Sequence, residues 1–537
     1  MPFDPLYHPY PSHRVPVYGA RGMVATSQPL AAQAGLDVLK HGGNAIDAAI
    51  ATASALTVLE PCSNGIGGDA FALVWSEGKL HGLNSSGPSP AAISLEAVRA
   101  LGHDRMPQYG AVPVTVPGAP AAWAELSRRF GRLPLAEALR PAADYAERGY
   151  PLSPTAARMW QRAAEYYAAA QPNGATFAEW LRTFAPAGRA PRAGEIWRSP
   201  AHAATLRLIG ETDAEAFYRG ALAVRIEACI AEHGGFLDAG DLAAFAPEWV
   251  EPISTNYRGY DVWEIPPNGQ GLVALLALGI LRGWERHERE DVETAHRQIE
   301  AIKLAFADGQ HYISDARGMK IKPADLLHPA YADTRRSLIG DRAALPEAGK
   351  PPGGGTVYLA TADDKGNMVS FIQSNYTGFG SGLVVENTGI ALQNRGYGFS
   401  LDPLSINRLE PGKRSYHTII PGFLTRDGEA VGPFGVMGGL MQPQGHVQVL
   451  MNTLDFHLHP QAALDAPRWQ WTGGRTVLVE PGFPAHIAQA LARRGHNIQA
   501  AADANSFGRG QIIWRDPGTG ALVGGSDSRT DGLVAAW

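Results

Sequence analysis

The chain has 537 residues, 45% of them hydrophobic and 18% charged, with 52 acidic against 46 basic side chains and a net charge of −6. Disordered chains pair low hydrophobicity with high net charge, and this one does neither. The acidic balance also excludes the broad cationic footprint that nucleic acid or an anionic membrane would select, so neither is an expected partner.

From the front, MPFDPLYHPYPSHRVPVYG is proline-rich and lacks the apolar run of a signal peptide. No stretch reaches the ~18 apolar residues of a spanning helix, so a cytoplasmic location is expected. The two cysteines, Cys62 and Cys229, rule out a disulfide framework. Residues 30–59 read as two helices. Gly42-Gly43 stops the first, Asn44 caps the second and Pro61 ends it. Residues 120–350 read as mostly helical, with amphipathic runs such as RLPLAEALRPAADYAERG.

After Pro351 the texture changes. TVYLATADDKGNMVSFIQS predicts two strands around an Asp-Lys-Gly-Asn turn. RSYHTIIPGFLTRDGEAVGPFGVMGG and GQIIWRDPGTGALVGGSD repeat that arrangement. A helix-rich front and a strand-rich back must bury their faces together, which predicts one mixed α/β (α+β) body with helices on antiparallel sheets. The junction is GKPPGGGT, residues 349–356.

The common nucleophile and phosphate motifs G-x-S-x-G, H-E-x-x-H and G-x-x-x-x-G-K-[ST] are absent. GFGSGL (378–383) reads as a turn, and WERHERED (284–291) as a solvated helix face or loop. His457 and His459 share a face only if their segment is extended, and they lack a third ligand nearby, so no metal site is expected.

Two features carry chemistry. Gly353-Gly354-Gly355 leads directly into Thr356. A threonine that begins a chain can be activated by its own α-amino group, which titrates near pH 7.7–8.0. That requires peptide cleavage before Thr356, and glycines permit the backbone strain involved. The alternative is a loop entering a strand. Gly438-Gly439 closes FGVMGG, a turn whose N–H groups suit an oxyanion; the alternative is a bulge or plain tight turn.

Together these pieces resemble the γ-glutamyltransferase family of N-terminal-nucleophile hydrolases, through nearly the whole chain. The matching motifs are GMVATSQPLAAQAGLDVLKHGGNAIDAAIA, EPCSNGIGGDAF, VPVTVPGAPAAW, YRGYDVWEIPPNGQG, TVYLATADDKGNMVSF, GFGSGL, the MGG turn and SDSRTDG. Within the family, the pattern is similar to the γ-glutamyltransferase-like subgroup that includes oxamate amidohydrolase. The resemblance implies a four-layer αββα sandwich and a precursor cut between Gly355 and Thr356 into residues 1–355 and 356–537. It implies Thr356 as nucleophile, Gly438 and Gly439 as the oxyanion hole, and Ser374 as a hydroxyl beside the nucleophile. The two pieces would stay associated, by family analogy in a dimer of such heterodimers, and no metal or organic cofactor is expected.

Departures from the family pattern bear on the substrate. Ser85 stands near the position where glutamyl transferases carry an arginine, and Tyr376 stands where they carry an asparagine. LQNRGYGFS supplies Asn394, Arg395 and Gly398 where they hold an ammonium, and His417 and Thr418 replace paired serines. Arg395 and Lys413 lie 413 − 395 = 18 positions apart, so the covering loop is expected to be short, favouring hydrolysis over transfer. A guanidinium at Arg395 suits a carboxylate, gripped through two parallel hydrogen bonds, and Arg414 offers the same chemistry. The alternative is an internal partner such as Glu386. The expected substrate is therefore a small carboxylate-bearing amide such as oxamate. A glutathione hydrolase or transferase is the second reading, a cephalosporin acylase the third, and a non-catalytic scaffold the reading from another class.

Overall fold

A computed structural model describes residues 10, 12, 14–169, 176–285, 287–345 and 355–537. Gly353 and Gly354 of the junction lie outside the described residues, whereas Gly355 and Thr356 lie within them.

The helix Ala45–Leu59 forms as expected. Asn44 Oδ1 accepts the Ile46 and Asp47 N–H groups, and Asp47 Oδ2 accepts the Asn44 N–H at 2.9 Å, a reciprocal cap. Its alanine-rich sequence suits a helix buried all round. On one side it meets the helix Pro29–Lys40 so closely that a Cβ on Gly35 would lie 2.3 Å from Thr52 Oγ1. On the other, Thr361 Oγ1 donates to the Ala45 carbonyl at 2.7 Å, and the Ala45 N–H donates to Asp363 Oδ2 at 2.9 Å.

Two seven-stranded antiparallel sheets form the centre. One runs, edge to edge, Val17–Gly19, Leu522–Ser526, Arg509–Arg515, Glu429–Met437, Gly422–Arg426, Tyr260–Glu264 and Ile253–Tyr257. The other runs Leu533–Ala536, Gly22–Thr26, Gly355–Asp363, Met368–Tyr376, Asp69–Ser76, Lys79–Ser85 and Glu248–Val250. The hairpins predicted after the junction form as read. Residues 120–350 are less uniformly helical than predicted, because they also supply edge strands. One pair, Ile253–Tyr257 and Tyr260–Glu264, turns at Arg258 and Gly259. Both of these residues have positive φ, which suits a tight hairpin.

The sheets pack face to face. A Cβ on Gly435 would lie 2.5 Å from the Tyr358 ring, so glycine is what lets the sheets approach there. Trp75 stacks on Phe423 at 6.0 Å. Trp75 sits opposite Met368, itself opposite Ala362, and Phe423 sits opposite Pro433. Going from Tyr358 to Ala362 in one sheet therefore runs from Gly435 to Pro433 in the other. Thr356 and Gly438 consequently lie at the same edge of the sandwich. The helices Gly271–Leu281 and Met441–Leu454 cover the outer face, the latter tightly enough that a Cβ on Gly445 would lie 2.6 Å from Val436. This is the αββα sandwich. Each sheet contains strands from both sides of the junction, so the two halves share hydrogen-bonded ladders.

Candidate active site

Thr356 stands at the start of its strand, where the register shifts between Gly355 and Val357. Such an irregularity re-aims a side chain out of the ladder. The Thr356 side chain is buried, and its hydroxyl donates to Ser374 Oγ at 3.2 Å. Ser374 Oγ also accepts the Tyr376 N–H at 2.8 Å. Tyr376 has a positive φ, a left-handed backbone uncommon for a bulky residue. The predicted pairing of Thr356 with a neighbouring hydroxyl is thus present.

Gly438 and Gly439 follow the strand Glu429–Met437, both with positive φ. Their carbonyls accept from Met441 and Gln442 at the opening of the helix Met441–Leu454, yet neither glycine N–H has an acceptor among the described residues. Two adjacent unpaired N–H groups at a positive-φ turn and a helix N-terminus form a nest for negative charge. Gln270 Nε2 fastens this turn by donating to the Gly439 carbonyl at 2.9 Å and the Thr418 carbonyl at 2.6 Å.

Between these two features lies a buried charged group centred on Asp69, whose Cα sits opposite Ser374. Arg395 grips Asp69 through Nε at 3.0 Å and Nη2 at 3.1 Å, donates from Nη1 to Thr418 Oγ1 at 3.0 Å, and lies 4.4 Å over the Tyr376 ring. His417 Nδ1 accepts the Ile419 N–H, so its proton sits on Nε2 and is donated to Asp69 at 2.6 Å. Burial alone would raise the Asp69 carboxyl, but Arg395 and then His417 outweigh it and hold it below the usual carboxylate range. Burial, with Arg395 adding to it, pushes the His417 pKa down to about 4, against the pull of Asp69.

The expectation for Arg395 therefore needs correcting in its partner. Its carboxylate is Asp69, because a buried guanidinium needs an anion to offset its desolvation. Glu386 is instead 71% exposed and 3.6 Å from Arg182. Thr418 serves this group by accepting from Arg395. Asn394 braces the backbone: its Oδ1 accepts the Thr377 N–H, and its Nδ2 donates to the Gln108 carbonyl and to Thr377 Oγ1. Burial pushes the Tyr376 pKa up to about 12, so its phenol keeps its proton. Arg414 lies further out, its Nε donating to the Ser86 carbonyl at 2.8 Å and its Nη1 2.8 Å from Glu248, a side chain 57% exposed. It thus sits beside Ser85, where the expected arginine is missing. The short segment after Arg395 folds back on itself, with Lys413 Nζ donating to the Ile406 and Arg408 carbonyls.

Asp69 and Gln270 are not singled out by the sequence, although both lie in motifs that are, GGDAF and PPNGQG. A lone aspartate after two glycines in an apolar strand is the signal that could have pointed to Asp69. The histidines near residue 458 do not share an extended face, since His457 has a positive φ and His459 caps the helix Pro460–Asp465 by accepting the Ala462 N–H. His296, Glu300 and His496 do cluster, but the Lys303 ammonium sits 2.6 Å from Glu300 Oε1, and His296 bonds to His496 and the Gly340 carbonyl. The Glu300 carboxylate is thus already paired with an internal ammonium, and the two imidazoles are hydrogen-bonded to each other.

His417 makes stability depend on pH. Its folded pKa, about 4, lies below the ordinary 6.5, so the unfolded chain takes up the proton first as pH falls. Its contribution is complete above about pH 6.5 and is lost as pH falls from there through about 4. The denaturation midpoint should drop between about pH 7 and about pH 5, and the drop should shrink in His417→Gln. An unchanged drop would remove His417 from this account.

Among the described residues no helix is long and apolar enough to cross a membrane. The family model described as gamma-glutamyltranspeptidase matches residues 31–537. A glutathione hydrolase-like YwrD proenzyme of Bacillus subtilis is 36% identical over 531 residues, covering 96% of this chain and 99% of that protein. An oxamate amidohydrolase proenzyme of Klebsiella pneumoniae is 36% identical over 533 residues, covering 96% and 98%. The crystal structure of a cephalosporin acylase from Bacillus halodurans matches with a TM-score of 0.95 at 62% identity, covering 100% of this chain and 99% of that one. With the sandwich and the motifs in place, the chain belongs to the γ-glutamyltransferase family of N-terminal-nucleophile hydrolases and is an amide hydrolase of that family.

Proposed function

We propose that this chain cuts its own backbone between Gly355 and Thr356 and then hydrolyses amides through an ester on the Thr356 hydroxyl. The observation that carries this is the Thr356 hydroxyl set 3.2 Å from Ser374 Oγ directly after the glycine run. In the precursor the hydroxyl attacks the Gly355 carbonyl, the acyl group shifts from nitrogen to oxygen and so frees the Thr356 α-amino group, and water then hydrolyses the ester to release the Gly355 carboxylate and restore the hydroxyl. That amine then takes the hydroxyl proton as the oxygen attacks a substrate carbonyl. The Gly438 and Gly439 N–H groups receive the resulting oxyanion. The substrate's amine leaves with the proton held by the Thr356 α-amino group, and water hydrolyses the ester to regenerate Thr356. The cut products, 1–355 and 356–537, remain together through their shared sheets.

For the acyl group, an acylase-type carboxylate amide longer than oxamate stands first, supported by the likeness to the cephalosporin acylase. Arg395 already carries Asp69 and Thr418, so it is poorly placed to grip a second carboxylate. Arg414 is the better candidate, because its partner Glu248 is solvent-exposed and weakly held. Oxamate stands second on the same residue. A γ-glutamyl amide stands third, since Gly398 offers no anion for its ammonium. A panel of glutaryl anilide, oxamate, γ-glutamyl anilide and glutathione tests this order. The glutaryl amide should show the highest kcat/KM, falling at least ~10-fold in Arg414→Ala through KM. Faster turnover of the glutamyl compounds would overturn the reading.

A further inference from the structure

The oxyanion turn at Gly438-Gly439 lies against residues 507–510, the turn at Phe507-Gly508 and the start of the strand Arg509–Arg515, which the proposed mechanism leaves unused. Gly508, with a positive φ, packs so closely that a Cβ on Gly438 would lie 3.1 Å from the Gly508 Cα. In the reverse direction, a Cβ on Gly508 would lie 2.8 Å from the Met437 carbonyl oxygen. The two strands that carry these loops are paired right up to the turn, with Val436 opposite Gly510 and Met437 opposite Arg509. Any shift of residues 507–510 is therefore passed to the two N–H groups.

A buried side chain and its counter-ion hold this segment. Arg468 donates from Nη1 to the Phe507 carbonyl at 2.9 Å and to the Gly508 carbonyl at 3.1 Å. From Nη2 it donates to Asp527 Oδ2 at 2.8 Å and to the Leu464 carbonyl at 3.0 Å. Asp527 Oδ2 in turn accepts the Gly510 N–H at 2.9 Å. Arg529 supports the clamp from the far side, 3.0 Å from Asp527 Oδ1 and close to Glu480. Arg468 and Asp527 are both buried, away from solvent. Burial alone would raise the Asp527 carboxyl, but Arg468 and then Arg529 outweigh it and hold it down at about 2, so the clamp stays charged across the working range.

We infer that Arg468 and Asp527 are positioning residues for the oxyanion hole, fixing the Gly508 backbone so that the Gly438 and Gly439 N–H groups stay aimed at the reacting carbonyl. Oxyanion donors act through preorganisation, so loosening their support costs the transition state while leaving substrate binding intact. Arg468 spreads its donors over a fixed planar fork, Nη1 on two carbonyls and Nη2 on a carboxylate and a third carbonyl, a four-acceptor span that the single nitrogen of lysine cannot reproduce.

This inference rests on the proposed acyl-Thr356 chemistry. The test is Arg468→Lys, with cleavage at Thr356 followed by gel, thermal melting, and kcat and KM measured on fully cleaved protein. Loss of a whole oxyanion donor costs ~10²–10³ in kcat; a displaced pair should cost on the order of 10- to 100-fold, with KM changed less than about twofold and cleavage complete. Should Arg468→Lys not accumulate as folded protein, Asp527→Asn carries the same test, because it keeps an acceptor for the Gly510 N–H and loses only the charge. Unchanged kcat would overturn the inference, and so would equal losses in cleavage, melting temperature, KM and kcat, which mark a purely structural pair. Thr356→Ala separates the two levels: turnover surviving in that variant sinks the underlying chemistry, whatever Arg468→Lys does.

Discussion

Thr356→Ala is expected to leave the chain as one uncut polypeptide with amide hydrolysis reduced by at least ~10³, since removing a covalent nucleophile takes away the whole reaction path. The effect should be specific. The Thr356 hydroxyl donates to Ser374, and the strand around it is held by its neighbours on both sides, so the fold should survive. Thr356→Ser keeps the hydroxyl and should keep cutting, more slowly, because serine lacks the methyl group that restricts rotation about χ1. Ser374→Ala should still cut but with an attenuated rate, since it removes the partner that orients the hydroxyl and not the hydroxyl itself. Electrophoresis under denaturing conditions reads all three. Alanine protein that still separates into two bands would mean that another group performs the cleavage.

The second large effect concerns Asp69→Asn. That change leaves the Arg395 guanidinium buried against Tyr376 without its anion, a loss of about 3–5 kcal/mol for a broken buried pair. The double variant Asp69→Asn/Arg395→Met removes both charges and should be far less destabilised than the single one, because replacing a buried pair as a unit is often close to neutral. Denaturant midpoints at matched slope measure the difference. Turnover should fall in both, since Asp69 sits opposite Ser374 and its group reaches Gly439 through Thr418 and Gln270. A single variant as stable as the double would show that Arg395 finds another anion, which would make it available to a substrate after all.

Much of the framework is legible in the sequence because local chemistry and global packing agree. Asn44 and Asp47 cap a helix whose alanines then pack on two sides, and the Asp-Lys-Gly-Asn turn sets the register of the Thr356 strand against Met368–Tyr376. The strands near Ile253 are hidden because a short, half-buried hairpin sits among long helices, and its turn at Arg258-Gly259 carries no strong sequence signal. The site divides along a physical line. Thr356 and Gly438-Gly439 announce themselves through glycines that only a special backbone requires. The partner of Arg395 cannot be read, because Asp69 lies 326 positions away and ion pairing depends on which strands the fold brings together. Arg468 escapes for the same reason, being joined to Asp527 across 59 positions.

The most direct test of the central claim is the intact mass and N-terminal sequence of active, purified protein. Two chains should be found, one ending at Gly355 and the other running from an unblocked Thr356 to Trp537. Active protein with an unbroken Gly355–Thr356 bond, or with a new terminus at any other residue, would contradict it.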